Sequence, residues 1–190
     1  MTKRKQFLVA MSGGSGSGKS TLAEALLEHL PEGQAVLFGE DAYYYPMSHY
    51  GEPGNKEEWT ALVAGINYDA PRSKEADRLV KDLRALKAGE TIQQPIYDYE
   101  RHDRSEKTRE IKSAPILILD EANAQLDQQA EKALVDALIR LKGYLTVIII
   151  SHRPSMLAVA DHQYELRDGS VHDLGTMNVT GTPQKMGMPA

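Results

Sequence analysis

A three-layer α/β/α sandwich with a mainly parallel sheet is predicted by three features of this chain. Short apolar runs at residues 7–11, 35–38, 116–119 and 145–150, the last interrupted only by Thr146, have the length and continuity of strands buried on both faces. One-sided helical patterns lie between them, which is the alternation that builds a parallel sheet with helices on both sides. The first run then passes directly into a burst of glycine and serine and a helix, a strand–loop–helix unit that places a ligand at the carboxyl ends of the strands.

That burst is the most informative stretch. Residues 13–20, GGSGSGKS, fit G-x-x-x-x-G-K-[ST], the phosphate-binding P-loop. Successive backbone N–H groups must converge on one anion, which demands positive φ and close approach, hence Gly13, Gly14, Gly16 and Gly18 among Ser15 and Ser17. The following helix turns its positive end toward the phosphates. Lys19 is placed to reach the β- and γ-phosphates, Ser20 to complete a Mg²⁺ shell, and Thr21 to close the cradle. A flexible Gly/Ser linker would need neither the preceding strand nor the Lys-Ser-Thr at this offset. The predicted fold is therefore a P-loop NTPase α/β/α sandwich, with ATP and Mg²⁺ as the implied ligands.

The elements follow in order. Leu22, Ala23, Leu26, Leu27 and Leu30 form one helix face, stopped by Pro31 and Gly33. After the strand at 35–38 comes Gly39-Glu40-Asp41, then a polar stretch with a helical piece at 56–64 that holds the one Trp. Residues 67–71 read as a turn. Ser73 is expected to cap a helix carrying Ala76, Leu79, Val80, Leu83 and Leu86, ended by Gly89. Residues 91–99 and 108–112 are expected to pair as a hairpin around a charged loop, 100–107. The strand at 116–119 ends in Asp120-Glu121. Leu126 to Leu141 carry a helical stripe, ended by Gly143. After the strand at 145–150 come a short helix at 155–160 and two small strands about Asp168-Gly169. One domain, 1–176, with a loose tail at 177–190 is the expected organisation.

Composition narrows the function. A net charge of −5 argues against a nucleic-acid or anionic-membrane surface. The absence of cysteine excludes disulfides and Cys-based metal or redox sites. No run approaches the roughly 18 apolar residues of a membrane span, and the first apolar run is too short for a signal peptide, so a cytoplasmic protein without a membrane domain is expected.

From its start to residue 114 the chain resembles the uridine kinase family, within the uridine kinase and phosphoribulokinase group. GGSGSGKST, EDAYYY, NYDAP, LRALKAG and PIYDYERHDRSEKT carry the likeness. The resemblance implies that Asp41 is the general base on a nucleoside 5′-hydroxyl. It also implies that Tyr44, Tyr68 and Asp69 line the nucleoside pocket, with Tyr97 and His102 on the base and Asp69 on the ribose. A pyrimidine nucleoside is the implied acceptor. A carboxylate at the end of a strand beside the phosphate loop suits that task independently.

From residue 115 to 176 the chain resembles the ATP-binding-cassette ATPases of type I secretion exporters, through ILILDEANAQLD and TVIIISHRPSMLAVADHQYELRDGSV. That likeness implies Asp120 near Mg²⁺, Glu121 polarising the attacking water and His152 at the γ-phosphate. The chain thus reads as a chimera, 1–114 kinase-like and 115–176 ABC-like. No exporter signature motif is present, and after Leu119 only Arg140, Arg153 and Arg167 could serve the arginine-rich lid that the kinase likeness implies. Weak turnover, or nucleotide binding without significant turnover, is therefore expected, any residual reaction being mainly hydrolysis, sensitive to Glu121→Gln and nearly indifferent to Asp41→Asn. The exporter likeness implies that the 145–150 strand lies between the P-loop strand and the Asp120 strand, whereas the kinase likeness makes those two neighbours. The first order is expected, because the chain after residue 115 supplies the later strands.

Overall fold

The computed structural model describes residues 7–13, 17–68, 70, 73–120, 128–151, 153–177 and 183–184. Among these described residues the sheet has seven strands, in the order β2-β5-β6-β1-β7-β8-β9. Its parallel part comprises β1 (Leu8–Ser12), β2 (Ala35–Gly39), β5 (Ile116–Asp120), β6 (Thr146–Ile150) and β7 (His162–Arg167). Strands β8 (Ser170–Met177) and β9 (Pro183–Gln184) extend it antiparallel, so two residues of the expected tail pair with Thr176 and Met177. The sheet is mostly parallel with helices against it, the architecture expected of a P-loop NTPase. Strand β6 lies between β1 and β5, the order expected from the exporter likeness.

Alternation along the strands sorts the core into two layers. Leu8, Ala10, Leu117, Leu119, Val147 and Ile149 face α3 (Ala76–Lys87), α4 (Gln128–Leu141) and α5 (Pro154–Ala158). Met11, Ile118 and Ile150 face α1 (Lys19–His29) through Ala23, Leu22, Leu26 and Leu27. Leu138 of α4 is fully buried in the first layer. Leu138→Ala is expected to cost about 2–5 kcal/mol, the range for a buried leucine that leaves a cavity. A urea melt measures it, and a cost below about 1 kcal/mol would mean that this layer relaxes freely.

The remaining elements lie beside the sheet. Strands β3 (Ile92–Asp98) and β4 (Asp103–Ile111) form a separate two-stranded ribbon, and α2 (Lys56–Gly65) buries no residue completely. The ribbon protects the sheet's edge strand. Gln94 Nε2 donates to the Gly39 carbonyl at 3.1 Å and Arg109 Nη2 to the Leu37 carbonyl at 3.0 Å.

Two sequence expectations are corrected. The charged loop expected at 100–107 is mostly strand, because β4 starts at Asp103 and lets Glu106, Lys107 and Glu110 face solvent. The turn is tight instead, with the Asp98 carboxylate accepting the Glu100 and Arg101 N–H groups and His102 at φ 49°. Ser73 does not cap α3. The N-cap is Glu75, with no side-chain cap, because residue 74 forms an antiparallel bridge with Tyr44 and delays the helix. Gly89, at φ 85°, does end that helix as expected. Among the described residues no helix is long and apolar enough to cross a membrane.

Candidate functional site

The carboxyl ends of β1, β2 and β5 bring three groups of side chains together. At the β1–α1 junction, Gly18 takes φ 90° as the residue before the helix, a conformation that favours glycine. A Cβ on Gly13 would stand 2.6 Å from the Leu166 carbonyl oxygen, so only glycine fits between the loop and β7. Lys19 Nζ donates to the Gly13 carbonyl at 2.9 Å, folding the side chain along the loop. Ser17, Ser20 and Thr21 lie in the same junction, whereas Gly14, Ser15 and Gly16 fall outside the described residues.

The second group is at the end of β5. Asp120 pairs in register with Gly39 of β2 and Ile150 of β6, which sets it level with the phosphate loop. The Ser20 hydroxyl lies beside its carboxylate, close enough to lower its pKa. Burial holds the Asp120 pKa above the ordinary carboxylate value, the Asp41 and Glu24 charges push it the same way, and Ser20 and Lys19 oppose them. A hydroxyl and a half-buried carboxylate among like charges suit a hard cation, since a cation would relieve that repulsion. Among the described residues no cluster of three His, Asp or Glu side chains could hold a metal unaided.

The raised pKa has a consequence for stability. With its folded-state value above the unfolded one, Asp120 favours the fold below the ordinary carboxylate range, and that contribution is lost as pH rises through the raised value. Asp120→Asn is therefore expected to raise the melting temperature of the nucleotide-free protein at pH 7, with the gain shrinking toward pH 4. A gain of equal size at both pH values would contradict this electrostatic account.

The third group lies at the end of β2. Residues Glu40–Tyr43 form a 3₁₀ turn that carries Asp41 out of the strand, its side chain 27% exposed. Lys74 Nζ lies 2.7 Å from Asp41 Oδ1 and 3.3 Å from Oε1 of the buried Glu40. The same ammonium stands 4.6 Å from the centre of the Tyr44 ring. Burial, followed by the Asp41 charge, pushes the Tyr99 phenol well above its ordinary range.

Beyond Asp41 the aromatic residues converge. The Tyr44 ring packs against Tyr97 at 5.2 Å and against the edge of Tyr68 at 5.7 Å. Tyr68 Oη and His102 Nδ1 are hydrogen-bonded at 3.0 Å, and Trp59 meets the His102 ring at 5.9 Å. Burial, then the hydrogen bond and charge of Tyr68, push the Tyr97 phenol up strongly. Arg104 ties the cluster down, donating to the Tyr43 and Tyr44 carbonyls and pairing with Glu75 at 2.8 Å.

Of the sequence-predicted site residues, Asp41, Tyr44, Tyr68, Tyr97 and His102 are thus grouped on one side, and Lys19, Ser20 and Asp120 on the other. Asp69, Glu121 and His152 lie outside the described residues. Sequence reasoning missed Lys74 and Arg104. Lys74 sits at the start of a helical stripe and reads as an exposed charge there, and nothing local distinguishes Arg104 from its charged neighbours.

Residues 8–151 match the model of the "Phosphoribulokinase / Uridine kinase family", a stretch that crosses residue 115, where the sequence reading divided the chain. The uridine kinase of Alkaliphilus metalliredigens is 36% identical over 137 residues, covering 71% of this chain and 61% of the relative. That of Leuconostoc citreum is 37% identical over 118 residues, covering 61% and 52%, and that of Lactiplantibacillus plantarum is 32% identical over 133, covering 70% and 59%. The matched stretch spans between half and about six tenths of these relatives' lengths. The chain belongs to the phosphoribulokinase and uridine kinase family.

Proposed function

We propose that this chain is an ATP-dependent nucleoside kinase-like phosphotransferase, with a pyrimidine nucleoside as acceptor. The observation that carries the reading is the placement of Asp41 between the Lys19–Ser20–Asp120 group and the Tyr44–Tyr68–Tyr97–His102 cluster. In this reading residues 13–21 cradle the triphosphate, and Ser20 with Asp120 would hold Mg²⁺, which supplies neutralisation of phosphate charge when bound. Tyr97 and His102 recognise the base, and Tyr44, Tyr68 and Asp69 flank the nucleoside. Asp41 takes the proton as the O5′–H bond breaks and the new O5′–phosphorus bond forms. The bond from the γ-phosphorus to its bridging oxygen breaks, and its electron pair leaves with ADP. The relatives' activity as uridine kinases supports the acceptor class.

A coupled ADP-release assay with and without uridine tests the proposal. A uridine-dependent rate is expected, and a rate indifferent to nucleoside would remove the reading. Trp59, the single tryptophan, reports on the acceptor side without turnover through its contact with His102. Uridine is expected to change its fluorescence saturably, and His102→Ala to abolish that change.

One observation favours a second reading. The β1-β6-β5 order is the one that the exporter-ATPase likeness implied for residues 115–176. On that reading the chain joins a kinase-like part, 1–114, to an ABC-like part, Glu121 and His152 orient a water, and weak ATP hydrolysis is the reaction. Acceptor-free hydrolysis lost in Glu121→Gln is its signature.

A further inference from the structure

Lysine is rarely buried without a reason, and the Lys74 side chain is 1% exposed. A structural pairing with the buried Glu40 would already account for its charge, yet its shorter contact, 2.7 Å against 3.3 Å, is to the partly exposed Asp41. Its backbone bridges Tyr44 and its ammonium lies against the Tyr44 ring, so one residue touches the proposed base and the proposed nucleoside wall together. The Lys74 ammonium donates to Oδ1 of the Asp41 carboxylate at 2.7 Å. A carboxylate offers about four acceptor positions, so room remains for an acceptor hydroxyl.

We propose that Lys74 is a positioning residue for Asp41. It anchors Oδ1, so that the carboxylate keeps one orientation toward the acceptor hydroxyl despite repulsion from Asp120, and it couples that orientation to Tyr44. The inference rests on the nucleoside-kinase reading. It explains why α3 starts late: residue 74 must leave helical geometry to bridge Tyr44 and point its side chain at Asp41.

The test is a double-mutant cycle. Lys74→Met alone takes a cation away from the buried Glu40 and can unfold the chain, so the working variant is Lys74→Met with Glu40→Gln, and Glu40→Gln alone is the control. At saturating uridine and ATP the working variant is expected to lose roughly tenfold or more in kcat, as for a displaced catalytic group, while the KM for ATP stays put. In an Asp41→Asn background the same change should leave the residual rate nearly unaltered. Equal losses in the two backgrounds, or full kcat in the working variant, would overturn the proposal.

Binding provides a readout apart from turnover. The parent is expected to bind uridine more tightly than 5′-deoxyuridine, which lacks the acceptor hydroxyl, and the working variant to bind the two alike. Undiminished discrimination in that variant contradicts the role of Lys74 alone. A parent chain that neither turns over nor binds uridine defeats the nucleoside reading, and the Lys74 inference falls with it.

Discussion

Asp41→Asn is expected to lower uridine-dependent ADP release by about 10²–10⁴-fold, the usual contribution of a positioned general base. Three features place the effect in the chemical step. The side chain is partly exposed at the end of β2, where an acceptor can reach it. Its charge is felt by Asp120, so it lies close to the phosphate side of the site. Its hydrogen-bond partner Lys74 is a donor that asparagine can still satisfy in part through its amide oxygen. ATP affinity should therefore change by no more than about twofold, because Asp41 is not part of the phosphate cradle. A calorimetric ATP titration beside the rate measurement separates the two effects. A rate that survives Asp41→Asn but collapses in Glu121→Gln would instead establish water as the acceptor.

Lys19→Ala is the second large effect, and it acts on binding. Losing a charge-assisted contact to phosphate should weaken ATP by an order of magnitude or more. The structure adds a second route to the same loss. Lys19 is one of the two groups that hold the Asp120 pKa down, so its removal makes the like-charge crowding with Asp41 and Glu24 worse. The variant should still fold, since Lys19 is not in the core and its bond to the Gly13 carbonyl is only partly buried. Unchanged ATP affinity in this variant would sink the assignment of residues 13–21 as the nucleotide cradle.

Legibility of the fold and site in the sequence followed the range of the interactions. Strands β1, β2, β5 and β6 were readable because burial on both faces forces four or five consecutive apolar residues, a local signal that needs no knowledge of neighbours. The P-loop was readable because its glycines answer a steric demand, visible at Gly13 against Leu166 and at Gly18 with its positive φ. The start of α3 was misread for the opposite reason. Ser73 has the chemistry of a cap, but a bridge to Tyr44, distant in sequence, overrules local preference. The charged ribbon of β4 was hidden because a solvent-facing strand carries little hydrophobic pattern. Lys74 and Arg104 were illegible for a related reason. Their meaning lies in partners 29 to 61 residues away, and a lysine in an amphipathic segment looks the same whether it meets water or a buried carboxylate. Resemblance named Tyr44, Tyr68, Tyr97 and His102, and their convergence was not derivable from spacing.

The most direct test follows the phosphorus. The chain is incubated with ATP labelled at the γ-phosphate, Mg²⁺ and uridine, and the products are separated by chromatography. Label in a nucleoside 5′-monophosphate, in proportion to ADP and lost in Asp41→Asn, is the result expected if Asp41 and the aromatic cluster present a nucleoside to the P-loop. Label found only in inorganic phosphate, at a rate unaffected by uridine, would contradict that account.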